Sequence, residues 1–154
     1  MMRVFLYVSL LTGLWQASAM AGCWEEAAER HSVEPELLYA IAQVESSLRP
    51  DVVNRNKNGS RDLGLMQINS IHLPRLAKQG ITEQQLLAEP CVSIDVGASI
   101  LAEIIGRHGY NWTAVGAYNA GSGAAREAAR LRYARKVYQR YQAVLNDQHR
   151  HDKF

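Results

Sequence analysis

Several features are scarce in this sequence, and each scarcity argues against a class of protein. The sequence has little excess of one charge sign over the other: the formal net charge is only +2 over 154 residues, so nothing marks a nucleic-acid binder. No internal repeat or low-complexity block is visible. The five histidines show no His-x-x-x-His spacing of the kind that metal sites use. The sequence therefore predicts no metal and no cofactor.

A long hydrophobic run is also missing, although the N-terminus is apolar. Arg3 supplies a positive charge, residues 4–15 are largely apolar, and residues 19–21 offer small side chains near a cleavage site. This stretch is too short to span a bilayer comfortably. We therefore predict that residues 1–21 are a signal peptide, that the mature chain begins near Gly22, and that it has no stable membrane insertion.

Cysteine is limited to Cys23 and Cys91. In an exported chain an even count favours a disulfide over a metal site or a reactive thiol. A bridge between these two would close a loop of nearly seventy residues, and the chain-entropy model gives such a closure roughly 4 kcal/mol. Two alternatives stay open: a pair of free buried thiols, or a lipoprotein in which Cys23 is acylated.

Apolar residues recur at helical spacing through most of the chain, which predicts a single all-α, mainly helical domain over residues 22–145. Caps and breakers place the helices at residues 23–31, 35–49, 72–78, 83–89, 93–108, 112–120 and 124–145. Residues 51–62 are polar and rich in asparagine, so we expect a loop, with a short hairpin, that borders a cleft. The charged tail of residues 146–154 is expected to be frayed.

Glu45 is the carboxylate that borders the apolar face of the second predicted helix, next to Val44 and four residues after Ile41. An acid that is partly removed from water keeps its proton to higher pH, as a general acid working near neutrality must. The alternative is an exposed glutamate at a helix end that pairs with Arg49. Periodicity alone does not decide between the two.

Four motifs favour the catalytic interpretation, and their order along the chain matters as much as their content. They are Glu45-Ser46-Ser47, Gly-Leu-Met-Gln-Ile-Asn at residues 64–69, Ala-Tyr-Asn-Ala-Gly at residues 117–121, and Tyr-Ala-Arg-Lys-Val at residues 133–137. In this order they resemble the lytic transglycosylases of the soluble-lytic type, which have a goose-type lysozyme-like domain. The resemblance spans about residues 23–141 and implies a lysozyme-like fold with a small hairpin region near the cleft.

The resemblance also implies a function. Such an enzyme cleaves the β-1,4 bond between N-acetylmuramic acid and N-acetylglucosamine in peptidoglycan glycan strands and leaves 1,6-anhydromuramoyl ends. The small size, the signal peptide and the two cysteine positions are similar to the specialised members that accompany secretion, pilus or conjugation machines. We therefore expect a periplasmic enzyme that opens the wall locally for such a machine.

Individual roles follow from the residues that match. Glu45 would be the catalytic acid and then the base, Ser46 would position it or the sugar, and Tyr133 would reach over to hydrogen-bond it. Asp62 lies two residues before Gly64, where many family members have a small residue. Facing the cleft, it would be a second catalytic carboxylate that stabilises an oxocarbenium-like transition state. The alternative is a turn aspartate that bonds nearby backbone amides.

The remaining candidates would contact the substrate. Gly64, Met66 and Gln67 would shape the cleft wall, where a glycine lets a sugar approach the backbone and Gln67 offers both donor and acceptor. Tyr118 and Asn119 would contact the acetamido and hydroxyl groups of the sugar. The alternatives are a core position for Met66 and a packed aromatic for Tyr118.

Two other functions fit the same residues. One is a hydrolytic, lysozyme-like muramidase, in which water completes the reaction. The other is a weakly active peptidoglycan-binding assembly factor. A partner surface would then lie on the tail or on the basic stretch of residues 126–140, although a basic run on a helix is usually a solvated face.

Overall fold

Seven α-helices and one small sheet make up residues 12–151, the part of the chain that the computed structural model describes. The helices, in chain order, are α1 (Thr12–His31), α2 (Pro35–Ser46), α3 (Leu73–Ala77), α4 (Glu83–Ala88), α5 (Pro90–His108), α6 (Trp112–Ala120) and α7 (Glu127–His151). Short 3-10 turns at Ser70–His72 and Ala124–Arg126 precede α3 and α7. The predicted all-α, mainly helical class is confirmed. Arg3, most of the apolar stretch of the predicted signal peptide and residues 152–154 lie outside the described residues.

The predicted hairpin is present and forms part of a three-stranded antiparallel sheet in the order β1-β2-β3. Its strands are β1 (Val53–Arg55), β2 (Arg61–Leu63) and β3 (Ile68–Asn69). Asp62 lies opposite Asn54 on one side and Asn69 on the other. Residues opposite each other in an antiparallel sheet point to the same face, so the register gathers these three polar side chains together.

Helix α2 carries Glu45 in its last turn. Pro35 occupies the first turn, where the missing N–H costs nothing, and Leu37, Leu38 and Ile41 are buried. The helix ends at Ser46, three residues earlier than predicted, because Ser47 adopts a left-handed conformation with φ 55°.

The remaining long helices position the other side of the cleft. Helix α5 packs against α1, α4 and α6, while α7 packs against α2 and α6. Helices α6 and α7 approach closely at Gly116, where an added Cβ would lie 2.5 Å from the backbone oxygen of Arg130. This close approach brings the C-terminal end of α6 near the α7 residues that face α2.

A disulfide joins Cys23 of α1 to Cys91 of α5 across 68 positions of sequence. The structure thus supports the pairing and not two free thiols. Helix α5 begins at Pro90, before the predicted start at residue 93, and the bridge therefore connects two helices directly. Within residues 12–151, none of the helices has the combination of length and apolar character that crossing a bilayer requires.

Helix α7 continues to His151, six residues beyond the predicted helix end at Leu145. A contact with α2 explains part of this extension: the Gln148 side-chain amide donates to Glu36 Oε1 at 3.0 Å. Sequence reasoning treated the polar composition of the tail as a sign of disorder, whereas a polar helix can be held by a polar neighbour.

Candidate active site

A cavity of about 560 Å³ lies between the sheet and the C-terminal ends of α2 and α6. Its volume lies in the range of small-molecule sites in proteins. Five of the predicted site residues line it: Glu45, Asp62, Gln67, Tyr118 and Asn119. Residues 56–58 of the asparagine-rich loop form one wall, in agreement with the expectation that this loop borders a cleft.

Glu45 is half-buried at the cavity wall, and its surroundings raise the pKa of its carboxyl from 4.5 to about 7. Removal from water is the largest cause, because burial penalises the charged form. Hydrogen bonds from Tyr133 and Asn119 act in the opposite direction, and the negative charge of Asp62 raises the pKa further. Near neutral pH the carboxyl can therefore both give and take a proton.

Tyr133 reaches Glu45 from α7, and its hydroxyl donates to Glu45 Oε1 at 2.5 Å. The ring is buried. Burial and the nearby Glu45 raise the pKa of the Tyr133 hydroxyl well above 10, so it keeps its proton and acts as a donor. This hydrogen bond fixes one carboxylate oxygen of Glu45 and gives the acid a defined orientation.

Asp62 lies on the central strand and lines the same cavity. The Asn56 amide donates to its Oδ2 at 2.9 Å, and the Asn69 amide donates to its Oδ1 at 2.7 Å. Both partners are side-chain amides, not the backbone amides expected for a turn aspartate. They occupy one lone pair on each oxygen and hold the carboxylate in place beside Glu45.

Besides Tyr133, three of the predicted site residues do not line the cavity: Ser46, Met66 and Gly64. The Ser46 hydroxyl is buried and donates to the backbone oxygens of Leu65 at 2.7 Å and Ala42 at 3.2 Å. This geometry can position Glu45 but leaves no contact for a sugar. Met66 is fully buried, as in its alternative interpretation as a core residue.

Gly64 also lies away from the cavity, and its small size serves the packing of the chain. Its φ is +72°, and an added Cβ would lie 2.2 Å from the backbone oxygen of Leu86. The close approach that requires glycine here is thus to α4, not to a sugar as predicted.

Gln67 lines the cavity, but its amide is engaged by the protein. Its Oε1 accepts from Asn54 at 2.8 Å, and its Nε2 donates to the backbone oxygens of Gly64 at 2.9 Å and Val52 at 3.1 Å. The donor and the acceptor that the sequence assigns to the sugar are thus both engaged by the protein, and they connect Gln67 to β1 and to the backbone that flanks β1 and β2. The Tyr118 hydroxyl is similarly engaged and donates to the backbone oxygen of Met66 at 2.9 Å. Asn119 lines the cavity and is exposed.

Sequence reasoning missed several cavity residues. Asn56 and Asn69 clamp Asp62, and the only signal for them was the asparagine content of the loop and of the motif at residues 64–69. Arg126 lines the cavity, although we grouped it with a solvated basic stretch. His72 also lines the cavity, and burial followed by the charge of Arg75 lowers its pKa.

The fold has a clear counterpart among solved structures. An inactive Glu-to-Gln mutant of the lytic transglycosylase Slt from Pseudomonas aeruginosa is similar with a TM-score of 0.68, at 21% sequence identity and over 84% of this chain. The match covers 24% of the Slt chain, so this protein corresponds to about a quarter of that enzyme. At this level of identity the likeness establishes the fold.

Sequence comparison establishes the family. Residues 22–140 match the model described as the transglycosylase SLT domain. Invasion protein IagB of Salmonella typhimurium is 53% identical over 127 residues, which cover 82% of this chain and 79% of IagB. Protein IpgF of Shigella flexneri is 45% identical over 121 residues, which cover 79% of this chain and 80% of IpgF. The chain therefore belongs to the transglycosylase SLT domain family and is a peptidoglycan lytic transglycosylase.

Proposed function

We propose that Glu45 is the catalytic acid and base that cleaves the β-1,4 bond between N-acetylmuramic acid and N-acetylglucosamine, with formation of a 1,6-anhydromuramoyl end. The observation that carries this proposal is the carboxyl itself, half-buried at a 560 Å³ cavity with a pKa of about 7. A proton donor that must later become an acceptor works best when its pKa lies near the working pH.

The reaction needs one acid that is used twice. Glu45 protonates the glycosidic oxygen as the bond to C1 of the muramic acid breaks, and the substrate's own acetamido group supports the positive charge at C1. The ionised Glu45 then accepts the proton of the C6 hydroxyl. The C6 oxygen closes on C1, so the acid is regenerated and no water is consumed.

Asp62 has the position of an electrostatic partner in this reaction. It lines the same cavity and its charge raises the pKa of Glu45, while Asn56 and Asn69 hold its two oxygens. A fixed negative charge beside the reacting carbon favours an oxocarbenium-like transition state. We expect Asp62→Asn to lower the turnover of purified wall, and near-normal turnover would remove Asp62 from the mechanism.

A digest of purified peptidoglycan tests the reaction. We expect the wild type to release anhydromuropeptides, which are lighter than reducing-end products by one water, and Glu45→Gln to release almost none. The matched control is Glu29→Gln, a change at an exposed glutamate of α1, which should digest normally. Release of reducing ends alone would identify a hydrolytic muramidase.

We also propose that the protein is exported to the periplasm and that residues 1–21 are removed on the way. The Cys23–Cys91 disulfide supports an oxidising compartment, and cleavage near Gly22 would keep both bridge partners. Because the Cys23 sulfur is bonded to Cys91, it has no free valence for a lipid, which favours the soluble form over the lipoprotein. N-terminal sequencing of the periplasmic protein tests the cleavage site.

The name of the Salmonella relative, invasion protein, supports a role with a secretion machine. We propose that the enzyme opens the wall locally where such a machine crosses it. In a strain that lacks the protein, the wild type should restore secretion and Glu45→Gln should not. Full restoration by Glu45→Gln would instead indicate an assembly factor that only binds peptidoglycan.

A further inference from the structure

A second concave site is separate from the catalytic cavity and is lined by aromatic side chains. This aromatic groove has a volume of about 470 Å³ and is lined by Tyr110, Trp112, Tyr138 and Tyr141, with Glu34 at its edge. It lies where the N-terminal ends of α2 and α6 meet α7. None of these residues belongs to the catalytic cavity.

Three of the aromatic side chains that line the groove are exposed to solvent. Tyr110, Trp112 and Tyr138 expose 50%, 38% and 47% of their surface. They make up half of the large hydrophobic side chains that the described residues expose. Contiguous exposed apolar surface of this kind marks a binding site more often than chance.

Contacts within the groove hold these rings in a fixed arrangement. Trp112 meets Tyr138 edge-on at a centroid distance of 5.1 Å and Tyr141 at 5.9 Å. Glu34 fixes two of the tyrosines: its carboxylate accepts from the Tyr141 hydroxyl, and its backbone N–H donates to the Tyr110 hydroxyl at 3.1 Å. The groove is therefore preformed, which lowers the ordering cost of binding.

We infer that the aromatic groove is a second saccharide-binding site, which holds a neutral, N-acetylglucosamine-containing segment of the glycan away from the site of cleavage. A sugar ring offers an apolar C–H face that stacks on an aromatic ring, and a rim of hydroxyls that needs acceptors such as a carboxylate. The groove provides the aromatic rings, and Glu34 provides an acceptor, because the Tyr141 hydroxyl bonds to only one of its two carboxylate oxygens. Its charged lining residue is Glu34, which disfavours anionic peptide-bearing segments and favours the neutral amino sugar.

The two sites are too far apart to hold neighbouring sugars of one glycan strand. Glu34 precedes α2 and Glu45 lies in its last turn, so the 1.5 Å rise per residue separates them by about 16 Å. A segment in the groove therefore tethers the enzyme to the wall, and tethering raises the effective concentration of glycan at the cleft. The inference rests on peptidoglycan as the substrate and not on the role of Glu45.

Binding in an inactive background tests the groove separately from catalysis. The full-length exported protein with Glu45→Gln is mixed with purified sacculi, and the bound fraction is measured by co-sedimentation. Trp112→Ala and Tyr138→Ala should each weaken binding about five- to tenfold, the loss expected for one stacked aromatic contact. Leu131→Ala is the matched control. Leu131 lies on α7, as Tyr138 does, and its side chain is 51% exposed but lies outside the groove.

A soluble oligosaccharide tests whether the groove is the binding site, and cleavage rates distinguish a loss of binding from a loss of folded protein. Chitotetraose should perturb the NMR signal of the Trp112 indole N–H. With Glu45 retained, Trp112→Ala and Tyr138→Ala should cleave soluble glycan at the wild-type rate but sacculi several times more slowly. Unchanged sacculus binding, or chitotetraose shifts confined to the catalytic cavity, would overturn the inference. Equal losses on soluble and insoluble substrate would also overturn it, as a general structural effect. Lost secretion with unchanged glycan binding would assign the groove to a polypeptide instead.

Discussion

Replacing Tyr133 with phenylalanine removes the hydroxyl that donates to Glu45 Oε1 at 2.5 Å. This hydrogen bond favours the ionised carboxylate, so its loss should raise the pKa of Glu45 above its value of about 7. A hydrogen bond to a charged group contributes about 1.5–3 kcal/mol, and 1.36 kcal/mol corresponds to one pH unit. Since water replaces part of the interaction and the hydrogen bond from Asn119 remains, we expect the pKa to rise by about one unit.

The sign of the effect can be read from a pH–rate profile. In the proposed mechanism Glu45 is protonated when the reaction starts, so the rate should fall as the pH rises through its pKa, and Tyr133→Phe should move this alkaline limb to higher pH. Asp62→Asn should move the alkaline limb to lower pH, because the negative charge of Asp62 raises the pKa of Glu45. The measurement is the initial rate of anhydromuropeptide release between about pH 5 and pH 9. Limbs that stay fixed, or that move in the same direction in both variants, would refute the reasoning.

Three further predictions concern stability. Burial of Glu45 raises its pKa from 4.5 to about 7, so the folded state loses stability as the pH rises through this window. Glu45→Gln should therefore be more stable than the wild type by up to about 3 kcal/mol at pH 8 and much less so at pH 5 in urea unfolding; equal gains at both pH values would contradict this. Replacing Cys23 and Cys91 with serine should cost about 4 kcal/mol, because the bridge closes a loop of 68 positions, and an unchanged thermal midpoint would contradict it. Gly64→Ala should destabilise the fold by several kcal/mol, whereas Gly59→Ala, at a similar φ of +84° but with open space around it, should cost about 1 kcal/mol; similar losses in both would show that crowding is unimportant.

The helices were predictable because their ends carry local signals. The Thr82–Gln85 capping box is present in the structure, and the Asn111 side chain caps α6. The two-residue strand β3 was not predicted, since two residues cannot display an alternating pattern. The extension of α7 was missed for a different reason: it depends on a contact between Gln148 and Glu36, which lie far apart in sequence.

Within the site, the residue types were easier to predict than the directions in which they point. The motifs brought Glu45, Tyr118 and Asn119 to one cavity. Motif membership does not reveal burial, however, so Ser46 and Met66 were assigned to the substrate although neighbouring backbone and core surround them. The amides that hold Asp62 come from β3 and from the loop after β1: the sheet register places Asn69 opposite Asp62, and Asn56 follows the end of β1.

The surroundings of Glu45 come from two parts of the chain that the disulfide separates. Cys23 and Cys91 enclose Glu45 and the sheet within one covalent loop, whereas Asn119 and Tyr133 arrive from beyond it on α6 and α7. If those helices detach, water reaches the carboxyl and its acidity returns to that of an ordinary glutamate. A molecule in which α6 and α7 have not docked would therefore lack the raised pKa on which the proposed acid–base role of Glu45 depends.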